Sequence, residues 1–168
     1  TSLARLIATT TDKVFVELSA VTASVKDVRE EIAQARHRLG ERGTGTILVL
    51  DEVHRFNKAQ QDTLLPAVEE GLIVLIGATT ENPHFEVNPP LMSRSTLFRL
   101  QALDDADVAE LVQRGLEVEG ASADDDAIEH LAQRAGGDGR HALTSAEVAV
   151  ALAAARGRPI HVTLDDAE

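Results

Sequence analysis

Cysteine, tryptophan and tyrosine are missing from this chain, and four phenylalanines are its only aromatic side chains. Without cysteine there is no disulfide and no thiolate chemistry, which suits a reducing compartment and makes the cytoplasm the expected location. Aromatics at 2% of the residues exclude a platform on which nucleic-acid bases could stack. No apolar run approaches the ~18 residues of a membrane helix. The start, Thr1-Ser2-Leu3-Ala4-Arg5, lacks the basic-then-apolar order of a secretory signal, so no membrane attachment is expected. The six histidines, at 37, 54, 84, 130, 141 and 161, are too scattered to resemble a zinc site.

Positive charge is also scarce. Lys and Arg number 16 against 28 Asp and Glu, a net charge of −12. The imbalance is uneven: residues 1–100 carry 11 basic and 13 acidic groups, residues 101–168 carry 5 and 15. Two regions with different surfaces are therefore expected. The second would repel phosphate backbones and is a poor nucleic-acid surface by itself. The rest of the composition, 43% hydrophobic and 26% charged over 168 residues, is that of a folded soluble chain.

The first hundred residues alternate helix and strand signals. Ser2 to Ala8 reads as a short helix with Leu3, Leu6 and Ile7 on one face. Residues 13–18 read as a β-branched and aromatic strand. Ser24 with Asp27 three residues on can cap a helix carrying Val25, Val28, Ile32, Ala35 and Leu39. Gly43 to Thr46 break it, and residues 47–50 form a continuous apolar strand of the kind buried on both faces. Asn57 opens a helix with Ala59, Thr63, Leu64, Ala67 and Val68 inward, closed by Gly71. Residues 72–76 are a further apolar strand, Pro83, Pro89 and Pro90 mark a loop, and residues 96–100 read as a last short strand. From Asp104 onward only helical patterns stand out, at about 104–118, 124–135 and 139–156, each opened by acidic residues. The expected fold is α/β with a mostly parallel sheet, followed by an acidic all-helical part.

Three places carry candidate chemistry. The strand at 47–50 runs straight into Asp51 and Glu52, at the carboxyl end where open α/β sheets bind ligands. Adjacent carboxylates there can divide two tasks, one holding Mg²⁺ through its water shell and one deprotonating an attacking water. A strand running into a solvated turn reads the same way. The second place is Gly77-Ala78-Thr79-Thr80-Glu81-Asn82-Pro83, where a hydroxyl at a strand end could hydrogen-bond a water or a γ-phosphate. The third pairs Ser93-Arg94 with Arg140 in Gly137-Asp138-Gly139-Arg140, since a guanidinium fork suits phosphate oxygens.

The order of residues 50–62 (Leu-Asp-Glu-Val-His-Arg-Phe-Asn-Lys-Ala-Gln-Gln-Asp), then 77–83, then Ser93-Arg94, resembles AAA+ ATPases of the clamp-loader branch. The resemblance covers essentially the whole chain and is strongest with those that serve replication-fork recombination. It implies that Asp51 and Glu52 are the Walker B pair, with Glu52 activating water. It implies Thr79 as sensor 1 (Thr80 being a close alternative), Arg94 as an arginine finger reaching a neighbouring subunit, and Arg140 as sensor 2. It implies ATP and Mg²⁺ as cofactors and homo-oligomers, with DNA junctions or ends as substrate and a single-stranded-DNA-binding protein as a partner. One departure matters: Gly-x-x-x-x-Gly-Lys-[Ser/Thr] occurs nowhere in the chain. By resemblance Thr1 is the last residue of that loop, a ligand of nucleotide and Mg²⁺, and the chain is a fragment lacking its first strand and unable to turn over ATP alone.

The implied layout is a partial nucleotide-binding core at 1–102, a helical lid at 103–158 and the start of a further segment at 159–168. The implied sheet order is 96–100, an empty slot, 72–77, 46–51, 13–18. Two other readings compete. Asp51-Glu52-Val53-His54 spells the Asp-Glu-x-His box of helicases, though the length and Gly-Ala-Thr-Thr do not fit one. A non-hydrolysing adaptor subunit is the other, opposed by the joint presence of Asp51, Glu52, Arg94 and Arg140. In the ATPase reading His54 is a neighbour of the Walker B turn and not a catalytic group.

Overall fold

Strand β2 (Thr46–Asp51) lies at the middle of a three-stranded parallel sheet, between β1 (Val14–Ser19) and β3 (Ile73–Gly77). The computed structural model describes residues 2–168. In register, Val16 faces Leu48 and Leu48 faces Leu75. Being central, β2 is covered on both faces, and its residues 47–50 are each no more than 2% exposed. Leu48 and Leu50 join Val28 and Ala35 of α2 (Val25–Arg42) and Leu64 and Ala67 of α3 (Lys58–Glu69) in the larger core. Ile47 and Val49 point the other way, onto Ala4 and Ala8 of α1 (Ser2–Thr9). The α/β class with a parallel sheet is as expected, and so is the order of the three strands.

Local chemistry fixes the helix ends. Ser24 and Asp27 form a reciprocal capping box on α2, and Gly43 ends that helix in the left-handed conformation at φ 64°. Asn57 and Gln60 form the same box on α3. Two details of burial differ from expectation. On α3 the amide Gln61 is buried, while Ala59 is exposed. On α1 the apolar trio Leu3, Leu6 and Ile7 is 40–61% exposed, and it is the small Ala4 that meets the sheet.

The proline region is not a loop. Pro83 and Pro89 each begin a one-turn helix, α4 (Pro83–Glu86) and α5 (Pro89–Met92), because a ring-locked φ suits a first helical position. Residues 96–100 are not a strand. A β-strand exists only through ladder hydrogen bonds to a neighbour, and no described residue supplies one here, so Phe98 and Leu100 stand 79% and 75% exposed.

The described chain forms two compact units that divide after Leu97. The second holds three main helices, α6 (Asp105–Val118), α7 (Asp125–Ala135) and α8 (Gly139–Ala154). Its core is formed by Val108, Val112, Leu131, Ala142, Ala149 and their neighbours. It also holds a two-residue parallel ladder, β4 (Ser122–Ala123) with β5 (His161–Val162), which the helical patterns do not announce. Residues 159–168 are part of this unit. Val162 is fully buried in the core, and α9 (Leu164–Ala167) carries Asp166, which pairs with Arg156.

Candidate functional site

Strands β2 and β3 stay tied beyond their last paired residues, Leu50 and Gly77. The Ala78 N–H donates to the Leu50 carbonyl at 3.0 Å, and the Val53 N–H donates to the Ala78 carbonyl at 2.9 Å. These bonds hold residues 51–54 against 78–79 at the carboxyl edge of the sheet, where α/β folds present ligand-binding groups.

Glu52 sits at the turn itself, at φ 55° and ψ 47°. It is the one non-glycine described residue with positive φ, a conformation that costs an ordinary residue roughly 1–2 kcal/mol. Such strain clusters where a side chain must be aimed. A short 3-10 turn follows, Val53–Arg55, anchored by Val53 at 4% exposure. It folds His54 back over the strand ends. His54 Nδ1 then lies 2.9 Å from the Thr79 hydroxyl oxygen and 3.1 Å from Glu52 Oε2.

The bonding around this nitrogen is lopsided. Thr79 Oγ1 already accepts the Glu81 N–H at 3.0 Å, leaving its own proton to donate. Glu52 donates its backbone N–H to Asp51 Oδ1 at 3.2 Å. Its Oε2 is buried and makes no hydrogen bond among the described residues; the His54 approach is an ion-pair distance without hydrogen-bond geometry. A buried carboxylate oxygen without a donor is costly in a finished fold, so this one is suited to a polar group from outside. Thr80 is exposed, and Thr79 is the hydroxyl that turns inward.

The structure therefore gathers Asp51, Glu52 and Thr79, and it adds His54. The Asp51-Glu52-Val53-His54 spacing was visible, but the contact to Thr79, 25 residues away, was not. Among the described residues no three His, Asp or Glu side chains converge on a metal position. Mg²⁺ needs fewer: one or two carboxylates beside phosphate oxygens and water. Asp51 at the strand end fits that donor set. Thr1 lies outside the described residues.

Arg94 stands elsewhere. It pairs with Glu69 at 2.6 Å and donates to the Pro90 carbonyl at 3.0 Å and to Ser93 Oγ at 3.2 Å. Glu69 is the last residue of α3, and Asn57 caps its first turn just after the site. Twelve residues of helix span about 18 Å, so Arg94 meets α3 at the end away from the Asn57 cap. A buried amide pair fixes the segment that carries it. Gln61 donates to the carbonyls of Phe56 and Glu86 at 3.0 and 2.9 Å and accepts the Asn88 N–H at 2.8 Å. Asn88 donates to the Lys58 carbonyl and Asp62 Oδ1. Every polar side-chain atom of Gln61 is thereby used.

Arg140 belongs to the second unit, in the first turn of α8. Asp138 caps that turn by accepting the Arg140 and His141 N–H groups at 2.9 and 3.1 Å. The His141 and Arg140 backbone donors hold the Asp138 carboxyl below the usual range. Gly137, at φ 85°, lets the chain pass so close that a Cβ would lie 2.7 Å from the Leu103 carbonyl. One further constellation was not anticipated: Ser122 Oγ lies 2.8 Å from His161 Nδ1, and His161 Nε2 lies 2.9 Å from Asp124 Oδ1. All three side chains are exposed, without the enclosed oxyanion pocket a nucleophilic triad needs. They clasp β4 to β5.

Comparison with known proteins places these features in context. A family model described as "ATPase family associated with various cellular activities (AAA)" matches residues 1–103. The chain is 45% identical to "ATPase WRNIP1" of Dictyostelium discoideum over 156 residues, covering 89% of this chain and 18% of that protein. It is 42% identical to "Replication-associated recombination protein A" of Bacillus subtilis, covering 100% of this chain and 41% of that protein. Among solved structures, the "Thermotoga maritima RuvB Holliday junction branch migration motor" superposes with TM-score 0.82 at 25% identity, over 98% of this chain and 54% of the other. The chain thus spans less than half the length of these curated relatives.

Proposed function

Because the chain belongs to the AAA family of ATPases, we propose that the edge formed by Asp51, Glu52 and Thr79 is the hydrolytic side of an ATP site. The observation that carries this is the buried, unbonded Glu52 Oε2 standing beside the inward Thr79 hydroxyl, both next to His54 Nδ1. The Glu52 carboxylate takes the proton of the attacking water. The Thr79 hydroxyl donates to the water or to a γ-phosphate oxygen. Asp51 would hold Mg²⁺ together with Thr1; the ion, when bound, neutralises charge on the phosphates.

Arg94, paired with Glu69 at the far end of α3, serves a neighbouring subunit's nucleotide in a homo-oligomer. Arg140 binds nucleotide from the helical lid. The relatives' names support a role in replication and recombination, with turnover driving the remodelling of DNA junctions or ends. The acidic second unit is a poor DNA surface by itself.

Steady-state turnover of Glu52→Gln in the full-length protein tests this reading. ATP binding should persist while kcat falls by orders of magnitude. Turnover equal to the unmodified protein would overturn the role of Glu52. An unmodified protein that binds ATP and never hydrolyses it would make this a structural adaptor.

A further inference from the structure

We propose that His54 is a positioning residue that couples Thr79 to Glu52, one ring nitrogen serving the hydroxyl and the carboxylate in turn. The inference rests on the roles given above to those two residues.

Nδ1 stands 2.9 Å from Thr79 Oγ1 and 3.1 Å from Glu52 Oε2. A ring nitrogen carries either a lone pair or one proton, so it completes one hydrogen bond at a time. In the arrangement seen, Thr79 accepts from Glu81 and its proton is available to Nδ1. Oε2, 3.1 Å from the same nitrogen but outside hydrogen-bond geometry, stays unbonded. The arrangement is stable for Thr79 and unstable for Glu52.

A γ-phosphate oxygen reverses the balance. Once the Thr79 hydroxyl donates to phosphate, Nδ1 has lost its donor. The ring side chain is 12% exposed, enough to exchange with solvent. It gives up the Nε2 proton and takes one at Nδ1, with no net gain or loss, and the ring turns from Thr79 so that Nδ1–H donates to Oε2. The carboxylate is fixed in place only when the phosphate-facing hydroxyl is engaged. The Val53 N–H bond to Ala78 keeps the three groups in reach in either state.

Turnover by the full-length protein with Glu52→Gln, His54→Gln, His54→Asn and Thr79→Val tests the coupling. An Asn amide occupies the position of Nδ1, whereas Gln reaches the position of Nε2. His54→Gln should lower kcat about 10–100-fold, the scale of a misplaced reacting group, with KM unchanged. His54→Asn should restore a large part of that loss. The Thr79→Val, His54→Gln double variant should be no worse than the weaker single one, since both break one linkage. Wild-type kcat in His54→Gln beside a dead Glu52→Gln overturns the coupling and leaves the Glu52 role intact. So does an equal loss in His54→Gln and His54→Asn. Wild-type turnover in Glu52→Gln removes the underlying reading and the coupling with it. Imidazole nitrogen NMR on the full-length protein gives a readout besides turnover. Thr79→Val should move the His54 Nδ1 resonance from that of an acceptor to that of a donor, and an unmoved resonance overturns the proposal.

Discussion

The two units bury themselves with different residues. In the first, the main core is built mostly from large side chains packed around a central strand, and 3 of the 12 residues buried there are alanine. In the second, 7 of 13 are alanine, distributed over α7 and α8. Large residues fill space and leave holes when truncated; small ones let helices approach and leave no room for growth. The sheet unit ends its strands in polar turns, and the proposed chemistry sits there. In the helical unit Asp138 is spent on a cap, and Ser122, His161 and Asp124 on a clasp.

Opposite mutations should therefore injure the two units. Leu48→Ala, at 1% exposure in β2, should cost about 2–5 kcal/mol because the neighbouring strands cannot collapse into the void. Loss of hydrogen-exchange protection in β2 measures it. Ala149→Leu, at a fully buried position of α8, should cost about 1–3 kcal/mol by overpacking, read by exchange in α8. Little effect at Ala149 would mean that the helices part easily.

A smaller effect separates the units by pH. Asp166 takes bonds from the Arg156 guanidinium and from the Thr163 N–H and hydroxyl, which hold its carboxyl well below the usual range. A depressed carboxyl adds stability that is full above its unfolded value of about 3.9 and lost as pH falls through the folded value. Asp166→Asn should therefore destabilise the second unit at pH 7, and the difference should shrink below about pH 4. A difference that stays constant on acidification would dismiss the ion pair. The smallest effect is expected at Phe98→Ser. At 79% exposure it should shift thermal unfolding by no more than about 0.5 kcal/mol.

Much of this was legible in the residues. Ser24 with Asp27, Asn57 with Gln60 and the apolar run at 47–50 each state their local structure, because capping and burial act within a few positions. Residues 96–100 also read as a strand yet stay exposed, since strand formation depends on a partner that the segment itself does not encode. The prolines at 83 and 89 break one element and begin another, and only the succeeding backbone decides between a loop and a helical turn. The carboxylates and Thr79 were legible as strand ends. The involvement of His54 was not, because it depends on a left-handed residue and a 3-10 turn that no periodicity reveals.

That left-handed residue, if it serves turnover as proposed, sets stability against activity. Glycine, and to a lesser extent asparagine, adopts the Glu52 backbone geometry with little strain. A library at position 52 ranked on melting temperature alone should bring glycine and asparagine to the top. The same library ranked on ATP turnover should return glutamate. The two selections would part at one codon, and the gap between their winners, roughly 1 kcal/mol, would measure what the chain forgoes in durability to keep a carboxylate on the turn.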